Sequence, residues 1–465
     1  MNEAPLPAQS SITPSLPPPS PLVAPRPFGA RGRSHPASFF RRTRAGRALR
    51  APSLRRSLAA CTAEGLAAEV VGACFGNAVL TAWAVELGAS PLLLGVLWGF
   101  PFFGQLFQLP ALWLTAHLGR KRAAVVTHAL ARQITLPIAA LPFLDVSLDT
   151  KRAVVVGLFA ASSLLSVLGH NAWLAWMGEL VPARVRGAYF GRRTAMCAGA
   201  ATIASLVIGA SLDAGTLHAS LGYVLAAVIV VRSIAGAVTT WLMLEQHDPA
   251  SAAVAPTIAD FAAPLADRAF RTLLGYRATW GIATGLSASL SAVYTLRALG
   301  LGFVGVAMYS AGVAVLRVVT TPLWGRALDR SGGRRVLVAC SAGAAVSSLA
   351  WVFATHGSAW LIAVDALVSG LLLGGQELAV FTLPLAAAPS ARRPLYAATS
   401  VMVGGVAYGG ASIVAGALVE IVSLRNLLLA AAVTRMVAAV VAMGIDKAEL
   451  TGSGASGAYP RRRPS

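Results

Sequence analysis

Acidic residues are scarce in this 465-residue chain, where 18 Asp and Glu stand against 38 Lys and Arg. Charged residues of both signs make up only 12% of it, about half the share found in soluble proteins. With a mean hydropathy of +0.68, that scarcity excludes the two or three soluble domains that length alone suggests. Cysteine is rarer still. Cys61, Cys74, Cys197 and Cys340 all fall in apolar segments and form no C-x-x-C pair, which leaves them as small buried side chains rather than a disulfide framework. No G-x-x-x-x-G-K-[ST] loop is present, so the chain carries no ATPase site of that kind. H-E-x-x-H and G-x-S-x-G are absent too, and the histidines (His35, His117, His128, His170, His218, His247, His356) are scattered. An intramembrane enzyme therefore lacks its usual signatures, and neither a cofactor nor a metal is expected.

What is present is apolar sequence. Runs of about 20 apolar residues, enough to cross about 30 Å of hydrocarbon, recur from residue 57 to residue 445. Such runs predict an all-α polytopic membrane protein. Divided at the charged connectors, they give twelve transmembrane helices near 59–84, 91–117, 123–144, 153–179, 194–212, 219–243, 272–296, 302–323, 336–354, 358–384, 396–419 and 426–445. A polar interval, "EQHDPASAAVAPTIADFAAPLADR", reads as a surface connector between two sets of six. The expected organisation is a Pro/Arg-rich tail (1–56), a six-helix bundle (57–243), a connector (244–271), a second six-helix bundle (272–445) and a short tail (446–465). In the first tail only Glu3 is acidic, against ten arginines. That bias suits a disordered membrane-proximal segment. It also suits an organellar transit peptide, although the prolines of "PSLPPPSPLVAPRP" oppose the amphipathic helix such peptides form. No apolar core before a small-residue cleavage site marks a secretory signal.

Charge orients the spans. With the N-terminus cytoplasmic, the inner connectors carry 16 basic residues: Arg120, Lys121, Arg122; Arg184, Arg186, Arg192, Arg193; Arg268, Arg271, Arg277; Arg326, Arg330, Arg334, Arg335; and Arg392, Arg393. The outer connectors carry four, Lys151, Arg152, Arg297 and Arg425. That asymmetry is the one expected of cytoplasmic loops and places both termini there. The arginines form no basic helix face, so the expected counter-charge is anionic lipid rather than nucleic acid.

The connectors repeat. "LTAHLGRKRAAVV" after span 2 is echoed by "GRALDRSGGRRVLVA" after span 8, with Gly119 lying 213 residues before Gly332. "ELVPARVRGAYFGRRTA" after span 4 is echoed by "LPLAAAPSARRPLYAAT" after span 10, with Arg186 lying 207 residues before Arg393. Two landmarks at nearly one offset indicate a parallel duplication of a six-helix unit around a central cavity. The chain here resembles the major facilitator superfamily, whose span 2–3 connector reads roughly G-x-L-A-D-[RK]-x-G-[RK]-[RK]. Gly325, Leu328, Asp329, Arg330, Gly332, Arg334 and Arg335 match it, and Gly119, Arg120, Lys121 and Arg122 match its end. Pro182, Arg186, Gly187, Phe190, Gly191 and Arg193 resemble the family's span 4–5 connector. In the first copy Ala116 replaces the motif aspartate and Leu112 the opening glycine. Glycines permit tight turns between helix ends, and Asp329 is suited to pair with an arginine or cap the next helix. The cluster otherwise serves as a topology signal alone.

Polar groups inside spans are costly, a charge by about 3 kcal/mol on insertion scales, and so mark candidate sites. Glu64 and Glu69 lie in span 1, Arg132 in span 3, His170 in span 4, Arg232 in span 6, Arg317 in span 8, Asp365, Gln376 and Glu377 in span 10, and Arg435 in span 12. Spans 1, 4, 7 and 10 line the cavity in the family the chain resembles, which implies Glu69, His170, Tyr276, Gln376 and Glu377 as cavity or coupling residues. Glu69 is the first choice for a protonatable group. Trp173 and Trp176 either line a site or anchor a helix end at the interface. The buried arginines pair, snorkel or bind an anionic substrate, and Glu179 is expected to partner the arginines of 184–193. Prolines in "GFPFFGQLFQLP" and "VTTPLW" should bend spans 2 and 8. Span 5, "CAGAATIASLVIGASLDAG", lacks the Gly-Pro of the family's drug/proton antiporters.

The reading that follows is a secondary transporter, monomeric, moving a small-molecule substrate by alternating access, with protons as a candidate coupling ion. Its alternatives are a non-transporting sensor or scaffold on the same fold and, further off, an intramembrane enzyme. Neither the substrate nor the direction of transport is written in the sequence.

Overall fold

The computed structural model describes residues 52–75, 77–213, 221–244, 258–389 and 392–445. The expected N-terminal tail up to residue 51, the first part of the central connector (245–257) and the C-terminal tail from 446 lie outside the described residues, as do the side chains of Cys74, Arg184 and Arg186. The described residues form helices and turns. In chain order the helices are α1 (Pro52–Phe75), α2 (Asn77–Glu86), α3 (Pro91–Phe103), α4 (Gln108–Leu118), α5 (Arg120–Gln133), α6 (Leu148–Leu180), α7 (Ala183–Asp213), α8 (Leu221–Leu244), α9 (Ile258–Ala266), α10 (Arg268–Val293), α11 (Gly302–Ser331), α12 (Gly333–Ser347), α13 (Leu349–Phe353), α14 (Trp360–Ala387), α15 (Arg393–Leu418) and α16 (Leu424–Met443).

Among the described residues nine helical stretches are long and apolar enough to cross a membrane, and the bent pair α3–α4 makes ten. This is an all-α polytopic membrane protein. Two of the twelve expected spans fall outside that set. The α1–α2 stretch carries Glu64 and Glu69, while α10 carries Arg277 among many Gly, Ser and Thr residues. Both helices are enclosed by others, α1 by α7 and α8 and α10 by α15 and α16, so neither needs an apolar circumference. By contrast only 11% of the apolar window of α7 and 6% of that of α11 is buried. Their outer faces carry Ile203, Val207, Met308 and Val319, side chains suited to lipid.

The spans are longer at their basic ends than the sequence suggested. α7 starts at Ala183 and α11 runs to Ser331, so Arg192, Arg193, Gly325, Asp329 and Arg330 sit within helices rather than in connectors. At 1.5 Å per residue, 30 residues span about 45 Å, and Arg330 on the projecting turn of α11 is exposed and reaches water beyond the hydrocarbon. Span 2 bends by 59° between Phe107 and Pro110, as expected where proline removes an amide donor. Span 8 is different: α11 continues as one helix through Pro322, because a membrane helix tolerates the loss of one backbone bond.

Packing follows a pattern. α1 packs on α7 and α8, α5 on α6 and α8, and α3–α4 on α6. Further along, α10 packs on α15 and α16, α12 on α14 and α16, and α11 on α14. The two most extensive contacts between the sets are α3 with α15 and α7 with α11. Between α3 and α15 the helices meet through glycines. An added Cβ at Gly416 would strike the Pro91 carbonyl, and one at Gly95 the Ser412 carbonyl, which is how small residues bring membrane helices together. The rings of Phe102 and Tyr408 stack at 3.5 Å along the same contact. At the foot of the α7–α11 contact the Asp213 carboxylate accepts the amides of Phe303 (2.9 Å) and Val304 (2.8 Å), the first free N–H groups of α11.

Candidate functional site

A cavity of about 600 Å³ opens among α1, α3, α5, α6 and α8. α1 presents Ala67, Ala68, Val71 and Gly72 to it, the i, i+1, i+4, i+5 pattern of one helix face. Glu64 lies on that face one turn earlier and is 4% exposed. Glu69, five residues on and so about 140° around the helix, is exposed and absent from the lining. The carboxylate beside the cavity is therefore Glu64.

Glu64 has two cationic partners. One oxygen accepts from Arg132 of α5, and the other from Arg193 of α7 at 3.4 Å. Arg132 also donates to the Thr239 hydroxyl of α8 at 2.6 Å. Arg193 donates to the Cys61 carbonyl at 3.2 Å and lies 4.8 Å over the Trp173 ring. Each of these charges has left water, and shared hydrogen bonds offset part of that cost. Arg232 of α8 donates to the Ser162 hydroxyl at 3.2 Å, which itself donates to the Ala131 carbonyl at 2.7 Å. His128 and His170 complete the polar wall, while Phe102, Phe159 and Val167 supply an apolar one. No Asp or Glu lines the cavity among the described residues.

Other candidates fall elsewhere. Trp173 and Trp176 are 8% and 0% exposed and pack with Cys61 and Met177 in the core, so the structure uses them neither as cavity lining nor as interfacial anchors. Tyr276 is fully buried, and its hydroxyl pairs with Gln376 (3.0 Å) and Ser341 (2.9 Å). A second cavity of about 220 Å³ holds Asp365 and Arg435. Asp365 accepts from Tyr309 (2.8 Å), Trp351 (2.8 Å) and Ser369 (3.0 Å), and Arg435 donates to Ser287 (2.9 Å). Arg317 and Glu377 pair at 2.8 Å with 40% and 55% of their side chains exposed. A pair so open in the middle of two spans belongs on a watered surface rather than against lipid.

The basic connectors confirm the glycine argument and alter the ionic one. Gly119 (φ 80°, ψ 149°) and Gly332 (φ 84°, ψ 152°) take one conformation, closed to residues with a Cβ, and each links two successive helices. Glu179 pairs with Arg120 across the span 2–3 connector, and no other ion pair involves it among the described residues. Lys121 donates to the Leu244 carbonyl at 2.8 Å, and Arg122 is exposed. Asp329, Arg330 and Arg335 are exposed, Arg334 is half-buried, and no ion pair involves Asp329 among the described residues. Pro182 precedes the first turn of α7, and Gly187 and Gly191 lie in the turns that follow it. The Glu64–Arg132–Arg193 cluster escaped sequence reasoning. Its one available signal was that Glu64, unlike Glu69, is in phase with the small residues of α1.

No protein-family model matches the sequence, and no curated protein matches it significantly. Solved structures do. The nucleoside transporter NupG aligns with a TM-score of 0.59 at 13% identity, covering 85% of this chain and 99% of its own. A D-xylose–proton symporter aligns with a TM-score of 0.65 at 14% identity, over 86% of this chain and 100% of its own. The xylose transporter XylE from E. coli, in an inward-open conformation, aligns with a TM-score of 0.61 at 13% identity, over 84% and 95%. The fold of this chain is the major facilitator fold.

Proposed function

We propose that this protein is a secondary transporter that moves a small solute by alternating access between two six-helix bundles, α1–α8 and α10–α16. The observation that carries the reading is the recurrence of the packing: each pairing named within α1–α8 has a counterpart within α10–α16, and the two most extensive joining contacts exchange under the same correspondence. Equal conformations at Gly119 and Gly332 support it. A parallel repeat of this kind puts the moving parts on either side of an axis along the membrane normal. The solved transporters of like fold support the class of activity, not the solute.

The basic ends of the spans lie in the cytoplasm, by the excess of Arg and Lys there, and with them both termini. On that orientation the molecule is held together at its outer ends. Its close approaches, Pro91 to Gly416 and Asp213 to Phe303, are at the outer ends of their helices, whereas Asp329 stands exposed at the inner end. Rocking would part the outer contacts and bring the inner motif together. Energy comes from an ion or solute gradient, and Glu64 is the carboxylate best placed to carry a coupling proton, since its two arginine partners come from different helices.

Purified protein in liposomes tests the proposal. Uptake or release of a solute from a metabolite panel is expected, with accumulation under an imposed proton gradient that Glu64→Gln uncouples from flux. Tags placing residues 184–193 and 326–335 on opposite sides of the membrane would refute the bundle arrangement. Sealed liposomes that show no protein-dependent flux of any solute would refute transport.

A further inference from the structure

We infer that the cavity within α10–α16 is a binding site for a small zwitterion, a molecule of amino-acid size that carries one ammonium and one carboxylate. The first argument is a pair of opposite charges left apart. Asp365 of α14 and Arg435 of α16 both line the space, and no ion pair involves either among the described residues. Asp365 is 2% exposed and takes three neutral donors, Tyr309, Trp351 and Ser369, so its negative charge is kept. Arg435 gives one hydrogen bond among the described residues, to the Ser287 hydroxyl, out of the five N–H groups a guanidinium carries. Charges parted in this way are costly inside a membrane unless each meets a counter-charge. A zwitterion supplies both at once and leaves the net charge of the cavity unchanged. A lone cation or anion leaves one of the two residues unmatched.

The lining gives the second argument. Thr284, Ser291 and Ser348, all on the wall, donate their hydroxyl protons to backbone carbonyls at 2.8, 3.1 and 2.8 Å. Each therefore offers a ligand oxygen lone pairs rather than a proton. With Asp365 they make an acceptor wall suited to an ammonium, while Arg435 brings a planar fork of donors suited to a carboxylate. The rings of Tyr309 and Trp351, which both donate to Asp365, meet edge to face with centroids 5.2 Å apart, and a cation beside aromatic rings is further stabilised. A volume of about 220 Å³ lies below the range of about 300–1,000 Å³ for drug-sized ligands, which suits a molecule of amino-acid size. The α1–α8 cavity has no such separated pair, because Glu64 is bonded directly to Arg132 and Arg193. The inference names a solute class for the proposed transporter and rests on that reading only for the solute's passage, not for its binding.

Thermal unfolding of the purified full chain in detergent, titrated with glycine, L-alanine, L-valine and L-serine, tests it against ethylamine, propionate and D-xylose. Ethylamine is alanine without its carboxylate, and propionate is alanine without its ammonium. A ligand of the folded state raises the melting temperature in a concentration-dependent way. At least one of the amino acids is expected to do so at concentrations at least tenfold below ethylamine and propionate. Arg435→Gln should abolish that advantage over ethylamine. Ala288→Leu, which places a larger side chain on the cavity wall and leaves both charges in place, should weaken the effect at least tenfold. Ethylamine or propionate matching the amino acids overturns the inference, and so does D-xylose acting in their place. The absence of a shift with all four amino acids overturns it too, as does a shift unchanged in Ala288→Leu. Where Arg435→Gln does not fold, the comparison of amino acids with their half-molecules in the unaltered protein still decides. The two readings fail separately: an amino acid that binds but is not carried into liposomes refutes transport alone, and a neutral solute that is carried while no amino acid binds refutes the zwitterion site alone.

Discussion

Arg232 in α8 and Arg435 in α16 occupy the same place in their helices, eleven residues beyond Leu221 and Leu424, yet their surroundings differ. Arg435 shares a cavity of about 220 Å³ with Asp365, whose three neutral donors leave its charge to balance the arginine across the space. Arg232 shares about 600 Å³ with another arginine and two histidines, and Glu64 beside that space is held by Arg132 and Arg193. The packing and the helix-end glycines recur because the backbone path requires them; the groups that line an interior space do not recur with them, because the backbone path does not dictate which side chains face it.

The sharpest test of this contrast is to remove the carboxylate from each side. Glu64→Gln leaves Arg132 and Arg193 buried without an anionic partner, and should cost about 3–5 kcal/mol of stability. Asp365→Asn keeps an oxygen for Tyr309 and Trp351 and should cost about 1–3 kcal/mol. Denaturant unfolding in detergent compares them, and equal losses would remove the distinction between the two interiors.

Gly119→Ala and Gly332→Ala probe what the halves share. Each forces a Cβ into the same positive-φ conformation, at about 1–3 kcal/mol, and the two losses should agree. A large loss at one and none at the other would argue against a repeated connector. Asp213→Asn addresses the contact between the halves. Removing a charge from the N-terminus of α11 weakens the closure by about 0.3–1 kcal/mol. Spin-label distances across the α7–α11 contact should then show a larger open population at that end, and an unchanged distribution would deny Asp213 any part in closure. The smallest effect is expected at Arg317→Gln, where both partners are largely exposed and the loss should stay below about 1 kcal/mol. A loss of several kcal/mol there would mean that the pair is enclosed rather than facing a watered path.

The membrane helices were legible because the bilayer sets a length and a polarity that apolar runs between Arg-rich connectors report directly. The glycine of each repeated connector was legible for a similar reason, since its backbone requirement is local. Helix ends were less so: the segments carrying Arg192, Arg193 and Asp329 read as loops because charge ordinarily ends a span, whereas here it lies within the helix, Arg193 turned inward to Glu64 and Asp329 outward to water. Pro322 likewise suggested a bend in α11 that the helix does not need.

Among the candidate site residues, depth along a span was readable and direction around it was not. Glu69 and Glu64 sit in one helix at comparable depth, and only the neighbours α5 and α7 decide that Glu64 meets arginines. His170 reached the cavity wall, while Trp173, three residues on, was absorbed into the core with Trp176. Composition and spacing alone determined that this chain crosses a bilayer many times, which way its basic turns are biased and where its connectors repeat, since lipid and backbone impose those constraints residue by residue. Which charges meet, how large each interior cavity is and where the helices close on one another were decided only by tertiary packing, because each depends on the rotation of one helix against several others distant in sequence.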